Sequence, residues 1–216
     1  MNKEKIKNAI FDFDGTLVDS ETLYTKAMHE TAKKMNVLLD IDFKRFAGYQ
    51  TNDMYDIISK THKIPDNFFE ENKITFDKMI DTELELFEGV VDTIKKFKNI
   101  VIASNSNIEY VEKIAKLKDI HKYIKNYSCH NEKLKAKPEP DLFLDAFANL
   151  QKIDNETTIE NTIIFEDSIA GVQAAKKTKI KVVAITNSYS KEELIQEGAD
   201  IVIDNINEVF KYIDIV

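Results

Sequence analysis

The chain has 216 residues, 43% of them hydrophobic, which suffices for one sizeable α/β domain carrying an insertion or for two small domains. A formal charge of −8 without any basic block argues against a nucleic-acid surface, because phosphate backbones are held by clustered Lys and Arg, and Arg45 is the only arginine. The lone Cys129 excludes an internal disulfide and fits a reducing compartment, and no apolar run approaches membrane-spanning length, so a cytoplasmic protein with no membrane contact is expected.

The N-terminal residues Met1 to Lys5 lack the apolar core of a signal peptide and lead into the run Asn8 to Phe11, which reads as a buried strand. Asp12 and Asp14 follow, then the Gly15-Thr16 of a tight turn. Strand ends that face a turn are where open α/β sheets meet their ligands. A single Asp there would only stop a strand; two of them in an apolar context point to a site.

After Thr16 the periodicity becomes helical. Asp19 and Ser20 can cap a helix whose apolar positions are Leu23, Tyr24, Ala27, Met28, Ala32 and Met35. A second stripe, Met54 to Thr61, precedes Pro65, and a third helix is predicted from Phe68 to Glu85. No strand signal interrupts this block, which reads as a small helical unit inserted after the first strand, with hinges near Leu17 to Asp19 and Phe87 to Gly89. From Gly89 the pattern alternates helix and strand, as in a doubly wound parallel sheet. Predicted strands are Ile100 to Ala103, a less regular one within Tyr123 to Cys129, Thr162 to Phe165, Lys181 to Thr186 and an edge strand at Ile201 to Ile203. Helices are predicted from Val90 to Phe97, Ile108 to Leu117, Pro140 to Leu150, Ile169 to Lys177, Lys191 to Glu197 and up to Tyr212. The fold class is therefore α/β, a Rossmann-like doubly wound core of residues 1–17 and 88–216 with an α-helical cap of residues 18–87.

Three later stretches place polar residues where the first could use them. Ser104 ends the second core strand and is followed by Asn105. Lys137 stands in Lys-Pro-Glu-Pro, where two prolines stiffen the loop. Glu166 and Asp167 lie between an apolar strand and a helix that Ser168 can cap, and adjacent buried acids need a partner or a metal. Singly, Ser104 would be a helix cap and Lys137 a solvated charge.

Together, Asp-Phe-Asp-Gly-Thr, Ser104, Lys-Pro-Glu-Pro-Asp and Glu-Asp-Ser-Ile-Ala-Gly resemble, in order and spacing, the four motifs of the haloacid dehalogenase superfamily from residue 8 to about residue 186. The inserted helices resemble the cap of its β-phosphoglucomutase and phosphoglycolate phosphatase branch. The resemblance implies that Asp12 attacks phosphorus and carries the phosphoryl group, that Asp14 protonates the departing alkoxide and then activates water, and that Ser104, Asn105 and Lys137 orient and neutralise the transferring group. It also implies Mg²⁺ held by Asp12, the Asp14 carbonyl and Asp167, with Glu166 as a further ligand, directly or through water.

The charges make a cation necessary. A phosphate dianion meeting three carboxylates suffers repulsion of roughly 4 kcal/mol per charge at about 4 Å and an effective dielectric near 20. A halide needs no proton to leave, whereas an alkoxide does, so an acid at Asp14 favours phosphate-ester chemistry over dehalogenation. In mutases of this branch a histidine of the first cap helix restrains the acid; Tyr24 stands there in this chain, while His29 reads as an exposed helix residue. Hydrolysis of a small phosphorylated metabolite, a sugar phosphate, sugar-acid phosphate or phosphoglycolate, is thus expected, with a phosphosugar mutase and a noncatalytic regulatory protein as alternatives. In the cap, Arg45, Gly48, Tyr49, Gln50 and Thr51 are candidates for substrate contacts, Arg45 for a carboxylate and the others for a polyol. That segment and Asp81 to Glu85 resemble bacterial 6-phosphogluconate phosphatases. Phe68, Phe69 and Phe76 read as core, or else as a partner surface. A monomer or weak homodimer is expected.

Overall fold

The computed structural model describes residues 4–46, 49 and 51–216. In chain order the strands are β1 (Glu4–Ile6), β2 (Asn8–Phe11), β3 (Asn99–Ser104), β4 (Asn126–Cys129), β5 (Thr162–Glu166), β6 (Lys181–Ile185), β7 (Ile201–Ile203) and β8 (Ile213–Ile215). The helices are α1 (Ser20–Lys34), α2 (Thr51–Thr61), α3 (Phe68–Glu83), α4 (Val90–Ile94), α5 (Ile108–Leu117), α6 (Asp141–Ile153), α7 (Ile169–Lys176) and α8 (Lys191–Gln196), with short 3-10 turns at Phe43–Phe46, His121–Tyr123 and Ile206–Lys211.

Six strands form one parallel sheet in the order β4-β3-β2-β5-β6-β7, so β2 lies between β3 and β5. Because helices cover both faces of such a sheet, its central strands are apolar without alternation, and all four residues of β2 and all six of β3 are buried. Ala9 and Phe11 point into one core, where Phe11 stacks on Phe165 at 4.5 Å and meets Phe97 edge-on at 5.8 Å. Ile10 points to the opposite core with Val101, Ile164, Phe143 and Leu150. The chain leaves β2 toward β3 and β4, then crosses back to β5 and β6. That reversal makes the carboxyl end of β2 a topological switch point.

The helices between β2 and β3 are organised around their own apolar cluster of Met28, Ala32, Phe43, Met54, Ile58 and Phe68. Leu23, Ala27, Met79, Ile80 and Leu84 instead join the sheet-side core, tying α1 and α3 to it. The two chain crossings run side by side: Asp19 N donates to Glu85 O at 2.9 Å, Phe87 N to Leu17 O at 3.1 Å, and Val18 bridges Leu86.

Three details depart from the sequence reading. The third helix ends at Glu83, because residues 84–87 run extended into the crossing. The final helix is a 3-10 turn, Ile206–Lys211, anchored by Ile206 and Val209. A separate two-stranded parallel sheet joins β1 to β8, bringing the two ends of the described chain together. Phe68 is buried, while Phe69 and Phe76 are half-buried and line the cavity described next. Among the described residues no helix is long and apolar enough to cross a membrane.

Candidate active site

The register of the sheet assembles the site. Phe11 pairs with Ile102 on one side and Phe165 on the other, so the next residues of all three strands emerge at one edge. Asp12 follows β2 and its N–H continues the ladder to Phe165 O at 2.9 Å. Ser104 ends β3, Glu166 ends β5 and Asp167 directly follows it. Asp12, Ser104, Lys137, Glu166 and Asp167, separated by up to 155 positions in the sequence, are all buried here.

Lys137 reaches this edge from the loop before α6. Its ammonium donates to Asp12 Oδ1 and, at 2.6 Å, to Glu166 Oε1, and lies 4.7 Å from the centre of the Phe143 ring. Asn105 Oδ1 accepts from Lys137 N at 2.8 Å, which fixes the loop. Glu166 is used fully inside the chain, since its Oε2 accepts from the N–H groups of Asp167 and Ser168, both at 2.8 Å, and from Ser168 Oγ at 3.0 Å. Asp167 accepts from Thr16 Oγ1 at 2.7 Å and from Ser188 Oγ.

Glycine is required twice. Gly15 adopts φ +81° and lies against the Asp167 carboxylate, and Gly171 at the start of α7 lies against that of Glu166; a Cβ at either would overlap the acid.

One carboxylate oxygen from each of Asp12, Glu166 and Asp167 lies within 4.8 Å of the other two. Burial pushes the Asp12 carboxyl well above the usual range, with Glu166 and Asp167 adding to the effect and Lys137 opposing it. Asp167 is pushed up likewise by burial and by Glu166, against hydrogen bonds from Ser188 and Thr16. Burial alone would lower Lys137, but the carboxylates of Asp12 and Glu166 outweigh it and hold the ammonium charged. One lysine among three buried acids leaves negative charge over, and a set of hard oxygen donors in that state fits a divalent cation such as Mg²⁺.

A cavity of about 690 Å³ opens from this edge toward the helices of residues 20–83. Asp12, Asp14, Ser104, Asn105 and Lys137 line its floor; Tyr24, Tyr55, Phe69, Phe76 and Tyr110 line its walls. Asp14 stands at the junction, where Ser106 Oγ donates to its Oδ2 at 2.7 Å and Tyr110 Oη to its Oδ1 at 3.0 Å. Glu21, also on the wall, is pushed up to about 7 by burial and by the charges of Asp14, Asp12 and Asp19. Burial holds the phenols of Tyr24 and Tyr110 protonated.

Every core residue singled out from the sequence, Asp12, Asp14, Ser104, Asn105, Lys137, Glu166 and Asp167, belongs to this one region. In the helical segment, Tyr49 lines the cavity, the Arg45 side chain is not described, and Gly48 and Gln50 lie outside the described residues. His29 is exposed, its ring edge-on to Phe43. Sequence reasoning missed Ser106, Tyr110, Thr16 and Ser188, each acting through a neutral hydroxyl. The only sequence signals were that Ser106 is two residues beyond Ser104 and that Thr16 closes the first motif.

A parallel sheet with a buried acid cluster and a lysine at its switch point defines an α/β site suited to a cation and an anionic group together. Residues 9–185 match the family model described as haloacid dehalogenase-like hydrolase, and the chain belongs to that family. The 6-phosphogluconate phosphatase of Escherichia coli (strain K12) is 27% identical over 177 residues, covering 79% of this chain and 78% of that one. The phosphorylated carbohydrates phosphatase of Thermotoga maritima is 28% identical over 203 residues, covering 88% and 90%. A haloacid dehalogenase-like hydrolase from Streptococcus pneumoniae has the same fold, with a TM-score of 0.77 at 22% identity over 96% of this chain and 98% of the other.

Proposed function

We propose that the chain is a Mg²⁺-dependent phosphatase of small phosphorylated metabolites, acting through a phosphoryl group carried on Asp12. The observation that carries this reading is the pairing of Asp12 with Lys137 on the cavity floor, with Asp14 at the point where floor and wall meet. Asp12 supplies a carboxylate oxygen that forms the new bond to phosphorus while the bond to the ester oxygen breaks. Asp14 gives the departing oxygen a proton and in the second step takes one from the water that attacks the aspartyl-phosphate, releasing inorganic phosphate. Ser104 and Lys137 orient the phosphoryl oxygens and offset their charge, the positioning work that dominates phosphoryl transfer.

Asp12, the Asp14 carbonyl and Asp167 would hold the cation. Bound there, Mg²⁺ supplies the positive charge that keeps these acids ionised beside a phosphate dianion. Glu166 orders Lys137 and the turn into α7 and would be a further ligand, directly or through water. Residues 18–87 act as a cap over a core of residues 1–17 and 88–216, and the paired crossings at Leu17–Asp19 and Glu85–Phe87 serve as its hinge.

Hydrolysis is favoured over a mutase reaction by Tyr24 on the cavity wall and by relatives that are themselves phosphatases. The names of those relatives, and a cavity lined by hydroxyls and aromatic rings, support sugar phosphates and sugar-acid phosphates as the first substrates to try. The test is phosphate release from a panel of phosphorylated sugars, sugar acids and phosphoglycolate with Mg²⁺, beside Asp12→Asn. Release that vanishes in the variant supports the reading. Conversion of β-glucose 1-phosphate to glucose 6-phosphate without release would replace it with the mutase, and silence in both assays with the regulatory protein.

A further inference from the structure

Tyr110 occupies the first turn of α5, where Asn107 caps the helix by accepting from Tyr110 N at 2.9 Å. The backbone is therefore fixed, and so is the direction in which the ring leaves it. The ring packs on Phe76 of α3 (centroids 6.5 Å apart, planes 23° apart), and Phe76 meets Tyr24 of α1 edge-on at 5.4 Å. Packing alone would be satisfied by phenylalanine. The hydroxyl does something else: it donates to Asp14 Oδ1, while Ser106 donates to Oδ2. A carboxylate with a separate donor on each oxygen has a single orientation about its Cβ–Cγ bond. One donor belongs to the β3–α5 loop; the other is carried by a ring that rests on the helical layer.

We propose that Tyr110 is a positioning residue for Asp14, setting the direction in which that carboxyl faces the leaving oxygen, and that its own place is set by Phe76 of the helix packed above it. The proposal rests on the reading of Asp14 as the group that protonates the leaving oxygen. In that step the proton moves from Asp14 to the ester oxygen as the P–O bond breaks, and Tyr110 neither gains nor loses one. An alkoxide leaving group needs this proton, whereas p-nitrophenolate is stable as an anion and leaves without it. A residue that acts by aiming Asp14 therefore matters for the first kind of ester and not for the second. A residue that merely supports the fold matters equally for both.

The experiment compares kcat/KM, which reports events through departure of the leaving group, for a sugar phosphate found in the panel and for p-nitrophenyl phosphate, in Mg²⁺. Tyr110→Phe keeps the ring and its packing and is expected to lower the sugar-phosphate value by about tenfold or more while leaving p-nitrophenyl phosphate within about twofold. Asp14→Ala is expected to show the same selectivity with a larger loss, and adding Tyr110→Phe to it is expected to cost nothing further, because Tyr110 acts through Asp14. Equal losses on both esters for Tyr110→Phe, no loss on either, or a full additional loss on the Asp14→Ala background would overturn the proposal. If Asp14→Ala itself costs both esters equally, the acid role of Asp14 fails and the proposal falls with it; selectivity in Asp14→Ala without selectivity in Tyr110→Phe removes the role of Tyr110 alone.

Discussion

The floor and the wall of the cavity are built on different principles. On the floor, Asp12 and Lys137 are buried and bonded to each other, and behind them the buried Glu166 and Asp167 accept from Lys137, from backbone N–H groups and from hydroxyls. On the wall, rings and hydroxyls from α1, α2, α3 and α5 predominate, with the charged side chains of Glu21, Glu70, Lys73 and Asp77 among them. A rigid charged floor suits a group that is the same in every substrate, the phosphoryl. A wall of adaptable surfaces suits the part that differs. Under the proposed function, the difference assigns the reaction to the strand ends and the choice of substrate to the helices, joined where Asp14 meets Tyr110.

The largest expected effect comes from breaking the floor. Lys137→Met leaves Asp12 and Glu166 buried without their counter-charge, and stability should fall by about 3–5 kcal/mol, read from urea unfolding, while phosphate release is lost. A variant as stable as the parent would mean that the pair contributes nothing to the fold. Next, Gly15→Ala forces a side chain into a left-handed backbone position and against Asp167, which should cost about 1–3 kcal/mol and lower the apparent affinity for Mg²⁺ in an activity titration. Unchanged metal dependence would separate the turn from the acid cluster.

On the wall the expected changes are smaller and depend on the substrate. Tyr55→Ala removes the partner that stacks on Phe69 at 3.7 Å and should change the order of preference among panel substrates by about tenfold while leaving the Mg²⁺ requirement as it was. A uniform loss across the panel would contradict the division between floor and wall. The smallest effect concerns Glu21. Its pKa is raised from the ordinary 4.5 to about 7, so the folded chain binds more protons than the unfolded one within that window. Stability contributed by the protonated form is therefore present at the acid side and lost as the pH rises through about 7. Glu21→Gln should lessen that decline by on the order of 1 kcal/mol, seen by comparing unfolding at about pH 5 and about pH 8. An unaltered pH profile would remove Glu21 as its source.

Much of the floor was legible in the chain because each of its residues adjoins a strong local signal. Asp12, Asp14, Ser104, Glu166 and Asp167 adjoin apolar runs that could only be central strands, and Lys137 is marked by Pro138 and Pro140. The wall was hardly legible. Tyr110 and Ser106 look like an ordinary helix residue and an ordinary loop serine, and a hydroxyl announces its partner only when the fold brings Asp14 within 3.0 Å of it. The pairing of β1 with β8 was equally hidden, since Glu4–Ile6 and Ile213–Ile215 are three-residue segments too short to show a period and lie at opposite ends of the described chain.

By itself the sequence determined the alternation of strands and helices, the helical insertion and the residue types of the floor, because hydrophobic periodicity and turn chemistry act between neighbours and are written in consecutive positions. Only the tertiary structure decided that Glu166 spends its oxygens on Lys137 and the α7 turn, that Tyr110 and Ser106 hold Asp14, and that aromatic rings from four helices line the cavity. Those contacts join positions up to 96 apart for Asp14 and Tyr110, and nothing in either residue's own neighbourhood encodes the distance that folding removes.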